Sequence, residues 1–354
     1  MTQLAVLMLA SPVGPVGSGE GGGVDMTFRL CAAELSRLGH RVSVIAPRGS
    51  HVAASHVVSV DGEQQLGAQL GGRAAPIEMP ADPVLARMWS RARELAPDND
   101  VLLNFAYDWL PFYLTPFLPR PVAHWVLMSS LSDAMDRVIG EVATRVPGSV
   151  AVCTRAQAET FAFGAHLRVL GPGIDLAEYE FGAEPEGYLA WAGRISPEKG
   201  LEDAAAAAAA VGLPLKVMGL AQDSAYLARV RAAYPHTIEY LGFLPTRELQ
   251  AVLRRARALL FTPRWVEALG IVVLEALACG VPVVSYRRGG PAELIRDGET
   301  GWLVTPGSVD ELAGAVSRTD ALDRGACRAY AEREHDARVV GQRVESWLRQ
   351  VAGK

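Results

Sequence analysis

Leu259-Leu-Phe-Thr262-Pro-Arg-Trp265-Val-Glu267-Ala-Leu-Gly270-Ile-Val-Val-Leu-Glu275-Ala-Leu-Ala-Cys279-Gly280 runs directly into Val281-Pro-Val-Val-Ser-Tyr286. The apolar run into Thr262 predicts a buried strand, Gly270 opens a helix that Gly280 closes, and Val281–Tyr286 predicts the next strand. Strand, loop, helix and strand in that order make one unit of a parallel sheet. Glu267 falls in the loop at the strand's carboxyl end, and Glu275 about one turn inside the helix, near the N–H groups that a first turn leaves without helical partners. An anion can lie on those N–H groups while the carboxylates hold hydroxyls on either side. A sugar nucleotide offers that combination, a diphosphate flanked by a ribose and a hexose. On these residues alone, Glu267 can equally complement the helix dipole and Glu275 can be a solvated helix residue.

The Glu-x7-Glu spacing of Glu267 and Glu275 resembles the donor-site signature of the family 4 retaining glycosyltransferases, although Leu269 stands where the family more often has Phe. A second segment, Gly193-Arg194-Ile-Ser-Pro197-Glu-Lys199-Gly200, follows the strand predicted at Tyr188–Ala192. Its fork-shaped and compact cations suit a diphosphate leaving group, the alternative being a solvated turn. It resembles the family's diphosphate-binding element. Gly219, Gly242-Phe243-Leu244 and Gly289-Gly290-Pro291-Ala292-Glu293 follow other strands and resemble its nucleotide-facing loops. The resemblance covers nearly all of residues 187–310 and is weaker over 1–170.

The resemblance implies an α/β fold of GT-B type, with two Rossmann-like domains facing each other across a cleft. The C-terminal domain would hold the nucleotide sugar and the N-terminal domain the acceptor. It implies retention of anomeric configuration, no obligatory cofactor or metal, and a leaving diphosphate that helps to deprotonate the acceptor. Arg194, Lys199 and Glu267 are then catalytic. The donor is expected to lie on Gly193, Gly219 and Phe243, on Ala268, Leu269, Gly270 and Ile271 at the helix start, and on Glu275, with Gly19, Gly22 and Gly23 approaching the diphosphate.

A chain of 354 residues, 50% of them hydrophobic, has ample material for two domains of ordinary size. Net charge is −5 with the basic residues scattered, which speaks against a nucleic-acid partner. Cys31, Cys153, Cys279 and Cys327 lack CxxC spacing and read as small core residues of a reducing, cytoplasmic compartment. The apolar start lacks a basic leader, and no apolar run approaches the roughly 20 residues of a spanning helix, so membrane insertion is not expected. The partners expected are a small-molecule donor and acceptor; oligomeric state is not legible.

Leu4–Ala10 predicts a buried strand, and a Gly-rich loop leads from it into a helix with Val24, Phe28, Cys31, Leu35 and Leu38 on one face. Gly17, Gly19 and Gly22 match G-x-G-x-x-G, the fingerprint of an NAD-binding Rossmann unit. That unit wants an acidic residue at the end of its second strand, where this chain has Ala46-Pro47-Arg48. The same loop can instead bring backbone N–H groups to a diphosphate, or be a plain turn. Asp98-Asn99-Asp100 precedes its strand, at the wrong end of the sheet for a metal-binding pair.

Tyr107-Asp108-Trp109 follows the strand that begins near Asp100, and ligands of open α/β sheets bind at that end. Ser129 ends the strand Val122–Met128, where many family members place a His; His124 lies too early for that role and reads as a core residue. The Gly-rich opening loop, Tyr107-Asp108-Trp109 and Ser130-Leu-Ser-Asp-Ala-Met-Asp136 together resemble the cyanobacterial enzymes that glucosylate tetrahydrobiopterin from UDP-glucose. That resemblance implies a pterin-like acceptor, with Tyr107 and Trp109 as ring faces, Asp108 accepting from paired N–H donors, and Ser129 beside them. A lipid or polysaccharide acceptor is the alternative. Two other classes stay open: a sugar-nucleotide-binding protein without turnover, and an NAD enzyme.

The expected domains are residues 1–172 for the acceptor, a linker at 173–187, 188–335 for the nucleotide sugar, and a helix at 336–354 that packs back on the first domain.

Overall fold

The apolar runs assemble into two separate parallel sheets in a computed structural model that describes residues 2–18, 22–54, 56–68 and 71–354. The chain divides into one unit up to Gly173 together with Ala337–Lys354, and a second unit, Ile174–Asp336.

Among the described residues, the first unit holds β1 (Ala5–Leu9), β2 (Arg41–Pro47), β3 (His56–Val60), β4 (Val101–Asn104), β5 (Val122–Trp125), β6 (Val150–Val152) and β7 (Arg168–Val169), in the order β3-β2-β1-β4-β5-β6-β7. The second holds β8 (Leu189–Ala192), β9 (Leu215–Met218), β10 (Ile238–Gly242), β11 (Leu259–Phe261), β12 (Val283–Tyr286) and β13 (Gly301–Val304), in the order β10-β9-β8-β11-β12-β13. Every pairing is parallel, and the inner strands are buried on both faces, which is why they read as continuous apolar runs. The edge strands β3, β7 and β13 were not legible: they are short and half-exposed, and only their neighbours' unpaired edges select them.

In each sheet the strand order reverses beside the first strand, between β1 and β4 and between β8 and β11. Loops leaving such a pair diverge to opposite faces and leave room at the carboxyl ends, where α/β proteins bind ligands. Alanine-rich Leu201–Ala210 forms a helix between β8 and β9, as propensity dictates.

Of the segment expected as a linker, residues 174–187 are counted with the second unit. Ile174, Leu176 and Tyr179 are buried in the core of the second unit, because two arginines of the helix Arg324–His335 hold the segment down. Arg328 Nη1 donates to the Tyr179 and Ala278 carbonyls at 2.9 and 2.6 Å. Arg324, only 9% exposed, donates to the carbonyls of Gly182, Ala256 and Arg254 at 2.6, 2.9 and 2.6 Å. The guanidinium groups bridge carbonyls of this segment, Tyr179 and Gly182, to carbonyls of its neighbours Arg254, Ala256 and Ala278.

The C-terminal helix Ala337–Ala352 packs in the first unit against the helix Gly23–Arg37. Val340, Val344, Trp347 and Leu348 are buried along one side, and Trp347 Nε1 donates to the Gly148 carbonyl at 2.6 Å. Lys354 Nζ meets Asp100 Oδ1 at 2.6 Å, while Asp100 Oδ2 accepts from Ala5 N at 2.8 Å. Asp100 thus fastens the amino end of the sheet. No helix among the described residues is long and apolar enough to cross a membrane.

Arg324→Met should leave three carbonyls without their donor and lower the stability of the second unit by about 3 kcal/mol, with Arg324→Lys recovering only part. Urea unfolding followed by circular dichroism measures this, and an unchanged midpoint for Arg324→Met would show that water replaces the guanidinium.

Candidate functional site

The segments following β8 and β11 are tied together by short polar contacts. Thr262 Oγ1 donates to the Gly200 carbonyl at 2.8 Å, and Arg264 N donates to the Glu198 carbonyl at 2.8 Å. On that frame Lys199 Nζ forms an ion pair with Glu267 Oε2, which also accepts from Trp265 Nε1 at 2.9 Å. The same Nζ lies 5.1 Å from the centroid of the Trp265 ring, within cation–π reach. Arg194 Nη2 pairs with Glu198 Oε1 at 2.8 Å. Lys199 and Glu267, 68 residues apart in sequence, are therefore brought into direct contact.

Two glycines set this geometry. Gly289, at φ +67°, lies so close to Glu267 that a Cβ would stand 2.6 Å from its carbonyl oxygen, and Gly290 N donates to that same carbonyl at 2.8 Å. Gly219, at φ +144°, packs its backbone on Gly193, where a Cβ would come within 1.8 Å of the Gly193 carbonyl. Any larger residue at either place pushes the loops apart. Gly193 and Gly219 thus join the carboxyl ends of β8 and β9, while Phe243, beyond β10, is 54% exposed.

The helix Ile271–Ala278 begins after Gly270 and presents its first-turn N–H groups beyond the carboxyl end of β11. Ala268 and Leu269 are buried, so a part for them in ligand binding runs through the backbone rather than the side chains; Ile271 is half-buried against the core. Glu275 meets a group of the protein itself. Its residue is 6% exposed, and its Oε1 accepts a 2.9 Å hydrogen bond from the Tyr179 hydroxyl. The structure thus engages this carboxylate with a hydroxyl of the protein, because the Tyr179 segment packs onto the helix face that carries it. Burial raises the Glu275 carboxyl to about 7, with Glu178 adding to the rise and Tyr179 opposing it.

In the first unit the residues singled out from the sequence have largely structural partners. Gly23 is the first residue of the helix Gly23–Arg37 and Gly22 its N-cap; Gly19 lies outside the described residues. That helix already carries a carboxylate in its first turn, since Asp25 Oδ2 accepts from Gly17 N at 3.2 Å. Asp108 caps the helix Trp109–Leu114 through a 3.0 Å bond from Leu110 N, and its other oxygen accepts from Gln65 Nε2 at 3.0 Å. Burial holds the Asp108 carboxyl above its usual range. Trp109 stacks on Tyr113 at 4.5 Å, the Tyr107 hydroxyl accepts from Leu131 N at 3.4 Å, and Ser129 is buried.

His124 is a fully buried core residue. Asn104 Nδ2 donates to its Nδ1 at 3.1 Å, Thr115 Oγ1 lies 2.8 Å from its Nε2, and Phe112 stacks on the ring at 4.2 Å. Thr115 Oγ1 gives its own proton to the Pro111 carbonyl, so Nε2 is the protonated nitrogen, and burial lowers the imidazole to about 3. Among the described residues, no group of three His, Cys, Asp or Glu side chains is placed to hold a metal ion.

Sequence reasoning passed over Trp265, Tyr179, Glu198 and Gln65. Trp265 could have been found two residues before Glu267; the others touch partners far away in sequence or lie inside a motif whose cations drew the attention.

The Glu275 carboxyl makes stability pH-dependent. Its folded value is raised above the unfolded one, so the folded state holds the proton more tightly and the group's contribution falls as pH rises from about 4.5 through about 7. Glu275→Gln, which keeps a partner for Tyr179, should therefore gain stability relative to wild type between pH 5 and pH 8. Thermal melts across that range check it; parallel curves for the two proteins would show that Glu275 titrates normally.

Residues 180–332 match the sequence profile of the glycosyl transferases group 1 family. The glycogen synthase of Mycobacterium tuberculosis is 29% identical over 273 residues, which cover 68% of this chain and 64% of that protein, so the chain spans somewhat less than two thirds of that relative. The D-inositol 3-phosphate glycosyltransferase of Nocardia farcinica is 28% identical, over 93% of this chain and 85% of its own. Among solved structures, a glycosyltransferase involved in avilamycin A biosynthesis superposes with a TM-score of 0.75 at 23% identity, covering 99% of both chains. Anabaena HepE in complex with UDP-glucose superposes with a TM-score of 0.75 at 19% identity, covering 98% of this chain and all (100%) of that one. These likenesses establish a GT-B type fold of two Rossmann-like α/β domains. The ion-paired loops around Glu267 lie inside residues 180–332, the region that resembles the glycosyl transferases group 1 family.

Proposed function

We propose that the protein is a retaining glycosyltransferase that moves a hexose, glucose in our reading, from a nucleoside diphosphate sugar of UDP-glucose type to the hydroxyl of a small acceptor. The observation that carries this is the pairing of Lys199 with Glu267 across the carboxyl ends of β8 and β11, the reversal point of the second sheet, with Arg194 on the same segment as Lys199. Anabaena HepE, whose fold this chain shares, was crystallised with UDP-glucose, which supports the choice of donor.

Arg194 and Lys199 meet the diphosphate as charge grows on it, and Glu267 exchanges Lys199 for hydroxyls of the hexose. The bond from the anomeric carbon to the diphosphate oxygen breaks. The acceptor oxygen bonds to that carbon on the same face, and its proton passes to the departing diphosphate. Since the cations offset the leaving group's charge, the step uses no obligatory metal. Removing either cation costs more in the transition state than in the ground state. Arg194→Ala and Lys199→Ala should each lower kcat/KM by about 100-fold or more with the fold retained, as loss of a preorganised charge contact does. Near-wild-type kcat/KM in both variants would place the diphosphate elsewhere.

For the acceptor we infer a flat, hydrogen-bonding ring of pterin type, tetrahydrobiopterin being the probe. Asp108 supports this as a partly enclosed carboxylate whose oxygens retain lone pairs beyond those given to Leu110 and Gln65, with Tyr107 and Trp109 its neighbours in sequence and Ser129 following the adjacent strand β5. A saccharide or inositol acceptor is the second reading, favoured by what the glycogen synthase and inositol phosphate relatives are named for. UDP-glucose should be offered with tetrahydrobiopterin, maltooligosaccharides, inositol phosphate and lipid acceptors in parallel. Asp108→Asn, which can still cap a helix, should lower pterin transfer at least tenfold in kcat/KM by loss of a charge-assisted bond. Transfer only to saccharides or lipids sinks the pterin reading, and donor binding with neither transfer nor donor hydrolysis leaves a sugar-nucleotide-binding protein.

A further inference from the structure

Each cation of the proposed donor site already faces a carboxylate of its own unit. Lys199 is paired with Glu267, and Arg194 with Glu198. Glu267 has a part in the chemistry proposed above; Glu198 has none. Yet Glu198 Oε1 is gripped twice, by Arg194 Nη2 and by the Ser196 hydroxyl, each at 2.8 Å. A guanidinium N–H and a hydroxyl O–H converging on one oxygen is the environment a phosphoryl oxygen seeks. Ser196 is 5% exposed and fixed by the turn Pro197–Lys199 that follows it, whereas the Glu198 side chain is 34% exposed. The Ser196 hydroxyl is thus held in place, and the carboxylate that occupies it and Arg194 can swing into solvent without becoming a buried charge.

We propose that Glu198 is a built-in competitor for the donor diphosphate, holding the anion position on Arg194 and Ser196 until the diphosphate displaces it; this rests on the donor-site reading above. Ser196 then becomes a further diphosphate ligand. The physical consequence is selectivity by exclusion. A singly charged anion replaces one carboxylate with one charge and gains little, while a diphosphate brings more negative charge and reaches Lys199 as well. After transfer, the returning carboxylate competes with the nucleoside diphosphate product for the same donors and shortens its stay.

The test is isothermal titration of the full chain with UDP and with inorganic pyrophosphate, against Glu198→Gln, which keeps the side chain's size and removes its charge. Both ligands should bind Glu198→Gln roughly three- to tenfold more tightly, the range a partly exposed ion pair supplies. The gain should vanish when Glu198→Gln is placed on Arg194→Ala, and Ser196→Ala should weaken both ligands on the Glu198→Gln background. A residue that merely braced the loop would act with the opposite sign. Weaker or unchanged binding by Glu198→Gln therefore overturns the proposal while leaving the donor site standing. Arg194→Ala that alone leaves UDP and pyrophosphate affinity intact overturns the donor-site reading, and the proposal with it.

Discussion

A parallel strand must be reached by a crossover, and in both sheets the crossovers change face beside the first strand, so that the loops after β8 and β11 leave in opposite directions. Everything chemical in the second unit follows from that reversal. The segment after β8 brings Arg194 and Lys199, the segment after β11 brings Trp265 and Glu267, and Thr262 stitches one to the other through the Gly200 carbonyl. A one-residue slip of β11 against β8 would turn Thr262 to the other face and separate the pair.

Charges placed this way need partners in the absence of ligand, and the unit supplies them from its own loops. Lys199 with Glu267 and Arg194 with Glu198 make the site locally neutral. The more exposed pair, Arg194 with Glu198 at 21% and 34%, contributes little to folding, typically below about 1 kcal/mol, so it can be exchanged for ligand contacts without unfolding the loop. Arg324 and Arg328 behave differently. Arg324 and Arg328 are committed to five main-chain carbonyls of the Tyr179 segment and its neighbours at 2.6 to 2.9 Å, and they hold Tyr179 over Glu275. The carbonyl-bound arginines and the ion-paired loops are thus built from the same residue types with different partners.

Much of this was legible because it depends on local chemistry. Apolar runs bounded by glycine gave the central strands, alanine propensity gave Leu201–Ala210, and the placing of Asp98-Asn99-Asp100 before a strand excluded it from the ligand end. His124 also read correctly as a core residue, since a lone His within an apolar strand has few other fates. What was not legible shares a reason. The 173–187 segment looked like a linker because its composition is that of a loop, and composition cannot register an arginine about 150 residues later that satisfies its carbonyls. The contact between Glu275 and Tyr179 was hidden for the same cause: the two lie 96 positions apart.

The sequence by itself determined the two-sheet α/β architecture and the segments that carry the charged residues, because strand burial, helix punctuation and loop glycines are encoded within a few residues of where they act. Only the tertiary structure decided which charges meet. Lys199 faces Glu267, Arg194 faces Glu198, and Glu275 turns to Tyr179, since each pairing is fixed by strand order and by side chains that pack across elements distant in sequence, where distance in space rather than along the chain sets the Coulomb and hydrogen-bond energies.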